Sequence, residues 1–140
     1  MGWTAIESAS VEVSVDALAA HGPVLLAAVR VITLDDDEAA DIVQATFEIA
    51  LRRLHTLRDP AALRAWLLRI ATREAFRAVR RLRRAVSLDR SVIEIAVAGQ
   101  DIAERTAVRE ALRGLTRRTR AAVALHHLAG LSVQETADAL

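Results

Sequence analysis

The chain lacks cysteine, lysine and tyrosine, and its 140 residues include only two prolines and five glycines. Without cysteine it has no disulfide and no thiolate metal site, which suits a reducing compartment. Scarce proline and glycine, together with abundant alanine and leucine, favour helices joined by short turns over a β-sheet. The hydrophobic fraction of 53% excludes an intrinsically disordered chain. The composition therefore predicts an all-α fold.

Basic residues are also missing from the N-terminus. The first twenty residues carry Glu7, Glu12 and Asp16 but no arginine, the reverse of the start of a secretory signal. No apolar run approaches the roughly 18 residues that a transmembrane helix needs. We therefore predict a cytoplasmic protein that does not insert into a membrane.

The net charge of +1 conceals a strong asymmetry along the chain. Residues 1–51 contain nine acids and one arginine, whereas residues 52–84 contain eleven arginines and only Asp59 and Glu74 as acids. Such a polarised chain predicts two surfaces, one suited to a basic partner and one to a polyanion.

The spacing of apolar residues predicts helices through most of the chain. Gly22 and Pro23 bend the first of them or mark a start. Asp59 caps a helix that opens with Pro60, Thr116 caps another helix, and Ser132 with Glu135 forms a capping box. The predicted helices cover residues 16–34, 38–57, 60–84, 101–114, 116–128 and 132–140. Residues 85–100 lack this periodicity and are interpreted as a linker with a short apolar anchor (Val92, Ile93, Ile95 and Val97), or alternatively as a short strand.

Six arginines fall within the twelve residues of REAFRAVRRLRR, positions 73–84. At about 100° per residue, one arc of roughly 80° on this helix collects five arginines: Arg69, Arg73, Arg77, Arg80 and Arg84. Trp66 projects into the arc and Phe76 sits at its edge. Arginines that neutralise phosphates, beside rings that stack on unpaired bases, are typical of a nucleic-acid surface. A solvated arginine face, with Trp66 packed on a neighbouring helix, explains the same pattern, and both interpretations stay open.

Two long blocks of the sequence resemble a known family. The block DDDEAADIVQATFEIALRRLHTLRDPAALRAWLLRIATREAFRAVRR resembles region 2 of the extracytoplasmic-function (ECF) sigma factors, and REALRGLTRRTRAAVALHHLAGLSVQETADAL resembles the beginning of their region 4. The resemblance implies two small helical domains, a region 2 bundle and an incomplete region 4 helix-turn-helix domain, joined by a linker. Its divisions are an N-terminal tail at 1–14, region 2 at 15–84, the linker at 85–100 and region 4 at 101–140, without the recognition helix.

The same resemblance implies partners and the residues that bind them. The core RNA polymerase β′ clamp helices are expected to bind Asp41, Gln44, Phe47, Glu48 and Arg52. Promoter DNA at the minus-ten element is expected to bind Arg58, Trp66, Arg69, Arg73, Arg77, Arg80, Arg81 and Arg84. The turn at 55–60 matches the loop that captures a flipped base, and an anti-sigma protein is a possible further partner. Two positions depart from the family pattern, Ala45 where glutamate is common and Arg77 where an acid or a small polar residue is expected.

The sequence predicts neither a metal site nor a catalytic site. Neighbouring side chains on a helix point about 100° apart, and neither cysteine nor clustered carboxylates accompany His126 and His127, so we expect no metal site there. The acidic run 35–38 lacks the ligand alternation and glycine of a calcium loop, and it fits a helix N-terminus, where acids complement the dipole. With no nucleophile and base, glycine loop or carboxylate pair, we expect no catalytic residue, no cofactor and no enzyme.

Three functional classes remain. The leading one is a sigma factor that directs promoter recognition and DNA melting in transcription initiation. The alternative is a truncated sigma-like module that binds core polymerase or an anti-sigma protein without supporting initiation. A helical enzyme is a distant third.

Overall fold

The computed structural model of the protein describes residues 13–86 and 102–140. Every regular element in these ranges is helical, which confirms the all-α prediction. The α-helices are α1 Val15–Ala19, α2 Gly22–Thr33, α3 Asp36–Arg53, α4 Leu63–Val86, α5 Ile102–Arg113, α6 Arg117–Val123 and α7 Val133–Ala139. Leu54–Thr56 and Pro60–Ala62 are 3₁₀ turns, and Ala124–Leu128 is a π-helical turn. The apolar anchor predicted within the linker lies outside the described residues, and the predicted domain boundaries stay predictions.

The N-terminal half is helical where the sequence predicts helices, but the helices begin and end at different residues. The segment predicted as one helix over 16–34 forms two helices, and Pro23 lies in the first turn of α2, so the Gly22–Pro23 pair marks a start. Helix α3 starts and ends earlier than the predicted 38–57. The Asp35 carboxylate accepts a hydrogen bond from the Glu38 amide at 3.0 Å and adds an N-terminal turn, whereas a 3₁₀ turn replaces the last turn. The acidic run therefore lies at a helix N-terminus, as predicted, and the structure adds that Asp35 is the cap.

The other predicted caps are present. The Asp59 carboxylate accepts a hydrogen bond from the Ala61 amide at 3.0 Å. The residues that follow form a 3₁₀ turn, however, and α4 begins only at Leu63. Thr116 caps α6, and Ser132 forms the capping box that opens α7. Gly130, with φ of 74°, ends the helical segment before it, as expected for a glycine in the left-handed region.

One hydrophobic core contains residues from both halves of the chain. Leu25, Val29 and Ile32 of α2 are fully buried at its centre. Helix α4 packs on α2 and α3 and contributes Leu67, and the π-helical turn packs on α2 and contributes Leu125. Because α6, the π-helical turn and α7 all pack on α2 or α4, the C-terminal helices lie directly on the N-terminal bundle.

Arginines cap helix ends across this contact. Arg120 Nε donates to the Ile32 carbonyl at 3.2 Å, and Arg109 Nη2 donates to the Leu34 carbonyl at 3.4 Å, both at the C-terminal end of α2. In the opposite direction, Arg64 donates to the Ala129 carbonyl at the end of the π-helical turn. Burial lowers the pKa of Arg120, but a guanidinium keeps its charge in proteins. These bonds satisfy carbonyls that a helix end leaves without an intrahelical partner.

One expectation from the sequence, the absence of an apolar run of membrane-spanning length, does not hold for the first two helices. Val15–Thr33 spans 19 residues at a mean hydropathy of 1.6, enough by length and composition to cross a membrane, so the expectation that no run approaches that length was wrong. The segment folds as two helices, however, and its inward row of Leu18, Leu25, Val29 and Ile32 is buried in the core. Packing within the protein therefore accounts for the apolar residues of this inward row.

Candidate nucleic-acid interface

A basic groove lies where the end of α3 meets the first half of α4. It encloses about 530 Å³ and is lined by Arg53, His55, Thr56, Trp66, Arg69, Ile70 and Arg73. The four α4 residues follow the i, i+3, i+4, i+7 spacing that places side chains on one helix face. Because α3 ends at Arg53 and a 3₁₀ turn follows, His55 and Thr56 come to lie opposite this face. We call this set of seven residues the basic groove.

Trp66 has two roles in this arrangement. Its side chain is half-buried and packs against the hydrophobic core, and it also lines the basic groove together with Arg69 and two residues of the 3₁₀ turn. The two interpretations of the sequence therefore both describe part of its environment. An indole fixed by the core and open on one side is a rigid platform for a stacked base.

Arg69 and Arg73 are exposed and free of ion pairs with any residue that the structure describes. An unpaired guanidinium at a groove is available for bidentate contact with a phosphate. Arg77 differs, because its Nη1 lies 2.9 Å from Glu74 Oε1 in an exposed ion pair. The arginine arc is therefore not uniform in its capacity to bind an anion.

The remaining candidate arginines lie elsewhere. Arg58 and Arg80 are exposed and do not line the basic groove, and the Arg84 side chain lies outside the described residues. Arg81 lines a separate cavity between α3 and α4, together with several acids. Phe76 packs partly buried against the core. Among the predicted arginines whose side chains the structure describes, Arg69 and Arg73 alone line the basic groove with Trp66.

The acidic residues of α3 form a second surface. Asp41, Gln44 and Glu48 are exposed, and Gln44 Nε2 lies 3.5 Å from Glu48 Oε1. We call these three residues the acidic face. Arg52 is exposed one turn further along the helix, whereas Phe47 is half-buried, close to the start of α2 at Gly22. Phe47 therefore positions α3 against the bundle more than it extends the exposed row.

Beside the acidic face lies a cavity between α3 and α4, which we call the acidic cavity. It is lined by Asp35, Asp37, Glu38, Asp41, Ile42, Ala45, Glu74, Ala78 and Arg81. Burial raises the pKa of Glu38, the neighbouring Asp35 and Asp41 raise it further, and Arg81 opposes them. No group of His, Asp or Glu in the described residues has an arrangement that could hold a metal ion.

Sequence reasoning missed Arg53 and Ile70, which line the basic groove. Arg53 was read as part of a continuous helix to residue 57, so its place at the helix end was not anticipated. The 3₁₀ turn after it places His55 and Thr56 in the same groove. The predicted absence of a histidine metal site stays a prediction, and the structure gives His126 a different contact, with Nδ1 at 2.7 Å from the Leu131 carbonyl.

Comparisons with known proteins agree with the sequence resemblance. The sequence model of the family Sigma-70 region 2 matches residues 17–85. The RNA polymerase sigma factor SigV of Bacillus subtilis (strain 168) is 30% identical to the chain over 105 residues, which is 74% of this chain and 63% of SigV. The chain thus spans less than two thirds of the length of that relative. No solved structure matches the chain significantly. The residues matched by the family include the basic groove and the acidic face.

Proposed function

Because the chain belongs to the sigma-70 family, we propose that it is a cytoplasmic sigma factor of the ECF type. It binds core RNA polymerase, directs it to promoters and helps to melt the minus-ten element. It acts by binding alone, without a cofactor or catalytic residue of its own.

The basic groove gives this proposal its main support. Melted promoter DNA presents unpaired bases and phosphates together, and the groove offers a half-buried indole beside Arg69 and Arg73. Stacking on an aromatic ring contributes about 1–3 kcal/mol per base, and flipping a base out of a duplex costs a few kcal/mol. Trp66 and its arginines therefore supply interactions of the size needed to offset a flipped base.

The walls of the groove extend the predicted set of DNA-binding residues. His55 and Thr56 lie in the turn for which the family resemblance implies base capture, and they face Trp66 across the groove. Arg53 adds a third cation beside Arg69 and Arg73. Arg58, Arg80 and Arg84 remain proposed phosphate contacts along the same DNA, outside the groove.

The acidic face suits the polymerase partner. Asp41, Gln44 and Glu48 present two carboxylates and an amide on one exposed helix surface, so a basic surface such as that expected of the β′ clamp helices complements them. Arg52 extends this contact and Phe47 fixes the helix that carries it. Because this face and the basic groove share no residue, we expect that both partners can bind at once.

One experiment tests the proposal. The chain is incubated with core RNA polymerase, the complex is recovered by pull-down, and transcription is measured from a pre-melted promoter. We expect core binding and a promoter-dependent transcript, and we expect Trp66→Ala to bind core equally but to lose transcript. Absence of core binding overturns the proposal. Core binding without any transcript favours the alternative, an interaction module that occupies polymerase without supporting initiation.

A further inference from the structure

One exposed hydroxyl lies among the arginines of the basic groove. Thr56 lines the groove together with Arg53, Arg69 and Arg73, and no acidic residue contributes to its walls. The Thr56 Oγ1 donates to the Arg53 carbonyl at 2.7 Å, a bond within a single exposed turn. A threonine hydroxyl is an acceptor for phosphorylation, and a phosphate at this place meets three guanidiniums.

The other hydroxyl groups in the described ranges differ from Thr56 in burial, role or position. Three threonines are buried and closed to an enzyme: Thr46, Thr72 and Thr136. Three further hydroxyls accept a hydrogen bond from a helix amide as caps: Ser14, Thr116 and Ser132. Among the residues that the structure describes, Thr56 is therefore the one hydroxyl that the basic groove presents to solvent.

The chain around Thr56 suits an arginine-directed protein kinase. Arg52 and Arg53 are exposed and lie four and three residues before the hydroxyl, and kinases of this class select their substrates by charge at such positions. The 3₁₀ turn that carries Thr56 ends at once, and the backbone of Leu57 and Asp59 beyond it is extended. An extended segment is the shape in which a substrate enters a kinase cleft.

We propose that Thr56 is a phosphorylation site and that its phosphate occupies the arginines of the basic groove in place of DNA. A protein kinase transfers the γ-phosphoryl group of a nucleoside triphosphate to Thr56 Oγ1. The bond from Oγ1 to phosphorus forms, and the bond from the γ-phosphorus to the oxygen that bridges to the β-phosphate breaks. The hydroxyl proton passes to a base of the kinase, and the nucleoside diphosphate leaves.

The phosphate reverses the electrostatic character of the groove. At pH 7 it carries about −1.5 to −2 charges, and its oxygens accept charge-assisted hydrogen bonds from guanidiniums. Arg53, Arg69 and Arg73 form no ion pair with any residue that the structure describes, so no existing pair has to break. The same guanidiniums are the proposed contacts of the DNA strand. The effect on DNA therefore rests on the proposed function of the groove, whereas the contact between phosphate and arginines does not.

The first experiment asks whether the site is modified. The full chain is incubated with ATP and the catalytic domain of a serine/threonine kinase that selects arginine three residues before its acceptor, and phosphorylated residues are mapped by mass spectrometry. Ser87 follows Arg84 by the same spacing and is an internal reference for kinase activity. We expect phosphate on Thr56, and we expect Arg53→Gln to reduce it at least fivefold without changing the amount on Ser87. Phosphate on Ser87 without phosphate on Thr56 overturns the inference.

The second experiment tests the contact with the arginines without DNA. Phosphothreonine is incorporated genetically at position 56 or, as a matched control, at position 119, since Thr119 is exposed and does not line the basic groove. Titration followed by ³¹P NMR gives the second pKa of the phosphate, ordinarily about 6. Because guanidiniums favour the dianion, we expect Arg69→Ala with Arg73→Ala to raise this pKa by at least about 0.5 at position 56 and to leave it unchanged at position 119. Equal values at position 56 with and without the two arginines overturn the inference.

The third experiment measures the consequence for DNA. The two phosphorylated chains and the unmodified chain are titrated into a fluorescein-labelled single-stranded DNA of about 12 nucleotides, within the range of ordinary single-strand site sizes. We expect the dissociation constant to rise at least ~tenfold for phosphothreonine at position 56, since phosphate contacts supply most of the affinity for a strand. At position 119 it should stay within about twofold, because distant exposed charges are largely screened. An equal change in both overturns the inference.

The inference and the proposed function fail in different ways. If Trp66→Ala and Arg69→Ala leave strand binding of the unmodified chain unchanged, the basic groove is not the nucleic-acid site. The proposed function and the effect on DNA then both fail. If these substitutions weaken strand binding but phosphothreonine at position 56 acts no more strongly than at position 119, the phosphorylation inference fails and the proposed function stands.

Discussion

The acidic face and the basic groove lie on neighbouring helices but are built in different ways. The acidic face is a row on one helix, with Asp41, Gln44 and Glu48 separated by three and four residues. The basic groove takes residues from α3, from the turn after it and from α4. A surface on one helix depends on helical periodicity alone, whereas a groove between elements depends on where each element ends. Substitutions can therefore test the two surfaces separately.

The largest expected effect comes from reversing the charge of the acidic face. Asp41→Arg with Glu48→Arg places two cations where a basic partner surface is expected, and like charges across an interface cost several kcal/mol. We expect the affinity for core polymerase to fall at least ~100-fold. The free energy of unfolding should change by less than about 0.5 kcal/mol, since both residues are exposed.

The control for this variant is Asp16→Arg with Glu110→Arg. It makes the same change in net charge at exposed positions outside the acidic face. Binding to immobilised core polymerase is measured for both double variants. If both lose affinity equally, overall charge governs binding and the acidic face has no special part in it.

The basic groove is tested by removing its aromatic platform. Trp66→Ala should weaken binding to minus-ten single strand by about 1–3 kcal/mol and leave the salt dependence unchanged, because stacking neutralises no phosphate. Trp66 also packs against the core, and loss of a large core residue costs about 3–5 kcal/mol in stability. Unfolding and strand binding must therefore be measured on the same variant, under conditions where it remains folded.

Phe76→Ala is the matched aromatic control. Phe76 is also half-buried and packs against the core, but it does not line the basic groove. We expect it to lose stability and to keep its affinity for the strand. If both variants lose stability and neither loses strand affinity when folded, Trp66 is a core residue only.

The contrast between the two surfaces also explains what the sequence could predict. The caps at Thr116 and Ser132 were predicted because each involves an amide only three residues away. The residues of the acidic face were named by the family resemblance, and their grouping on one surface needs only the 3.6-residue period. In both cases the interacting groups are close in sequence, so local patterns determine them.

Contacts that depend on distant parts of the chain were not predicted. Arg64 bonds a carbonyl 65 residues away, and Arg120 bonds one 88 residues away. An arginine on a helix carries no local sign of such a partner. The place of Arg53 in the basic groove was missed for a related reason, since it depends on which residues of α4 pack beside the end of α3.

A smaller effect, on the salt dependence of strand binding, distinguishes the arginines of the arginine arc. Arg69→Ala and Arg73→Ala should each reduce the slope of log affinity against log salt by about 0.7, the value for one single-strand phosphate contact. Arg77 is paired with Glu74, so Arg77→Ala should reduce the slope by clearly less. Strand titrations at several salt concentrations measure all three. Equal slope changes would show that the Glu74 pair does not compete with DNA.

The smallest effect belongs to the acidic cavity. Burial raises the pKa of Glu38, and the negative charges of Asp35 and Asp41 raise it further. The folded state therefore holds the proton more tightly than the unfolded chain. Stability falls as pH rises from the ordinary carboxyl value, about 4.3, to the raised value, and the loss persists at higher pH. We expect Glu38→Gln to raise the unfolding midpoint slightly at pH 7 and to have no effect below about pH 4.

The direction in which Glu38→Gln shifts the unfolding midpoint shows which interactions of the Glu38 carboxylate dominate. Glu38 lies in the first turn of α3, where a carboxylate also gains from the helix dipole. A higher midpoint for Glu38→Gln at pH 7 means that burial and repulsion outweigh this gain. A lower midpoint means that the dipole prevails and that the clustered acids favour folding. Asp16→Asn, an exposed first-turn acid on α1 outside the acidic cavity, measures the dipole contribution alone for comparison.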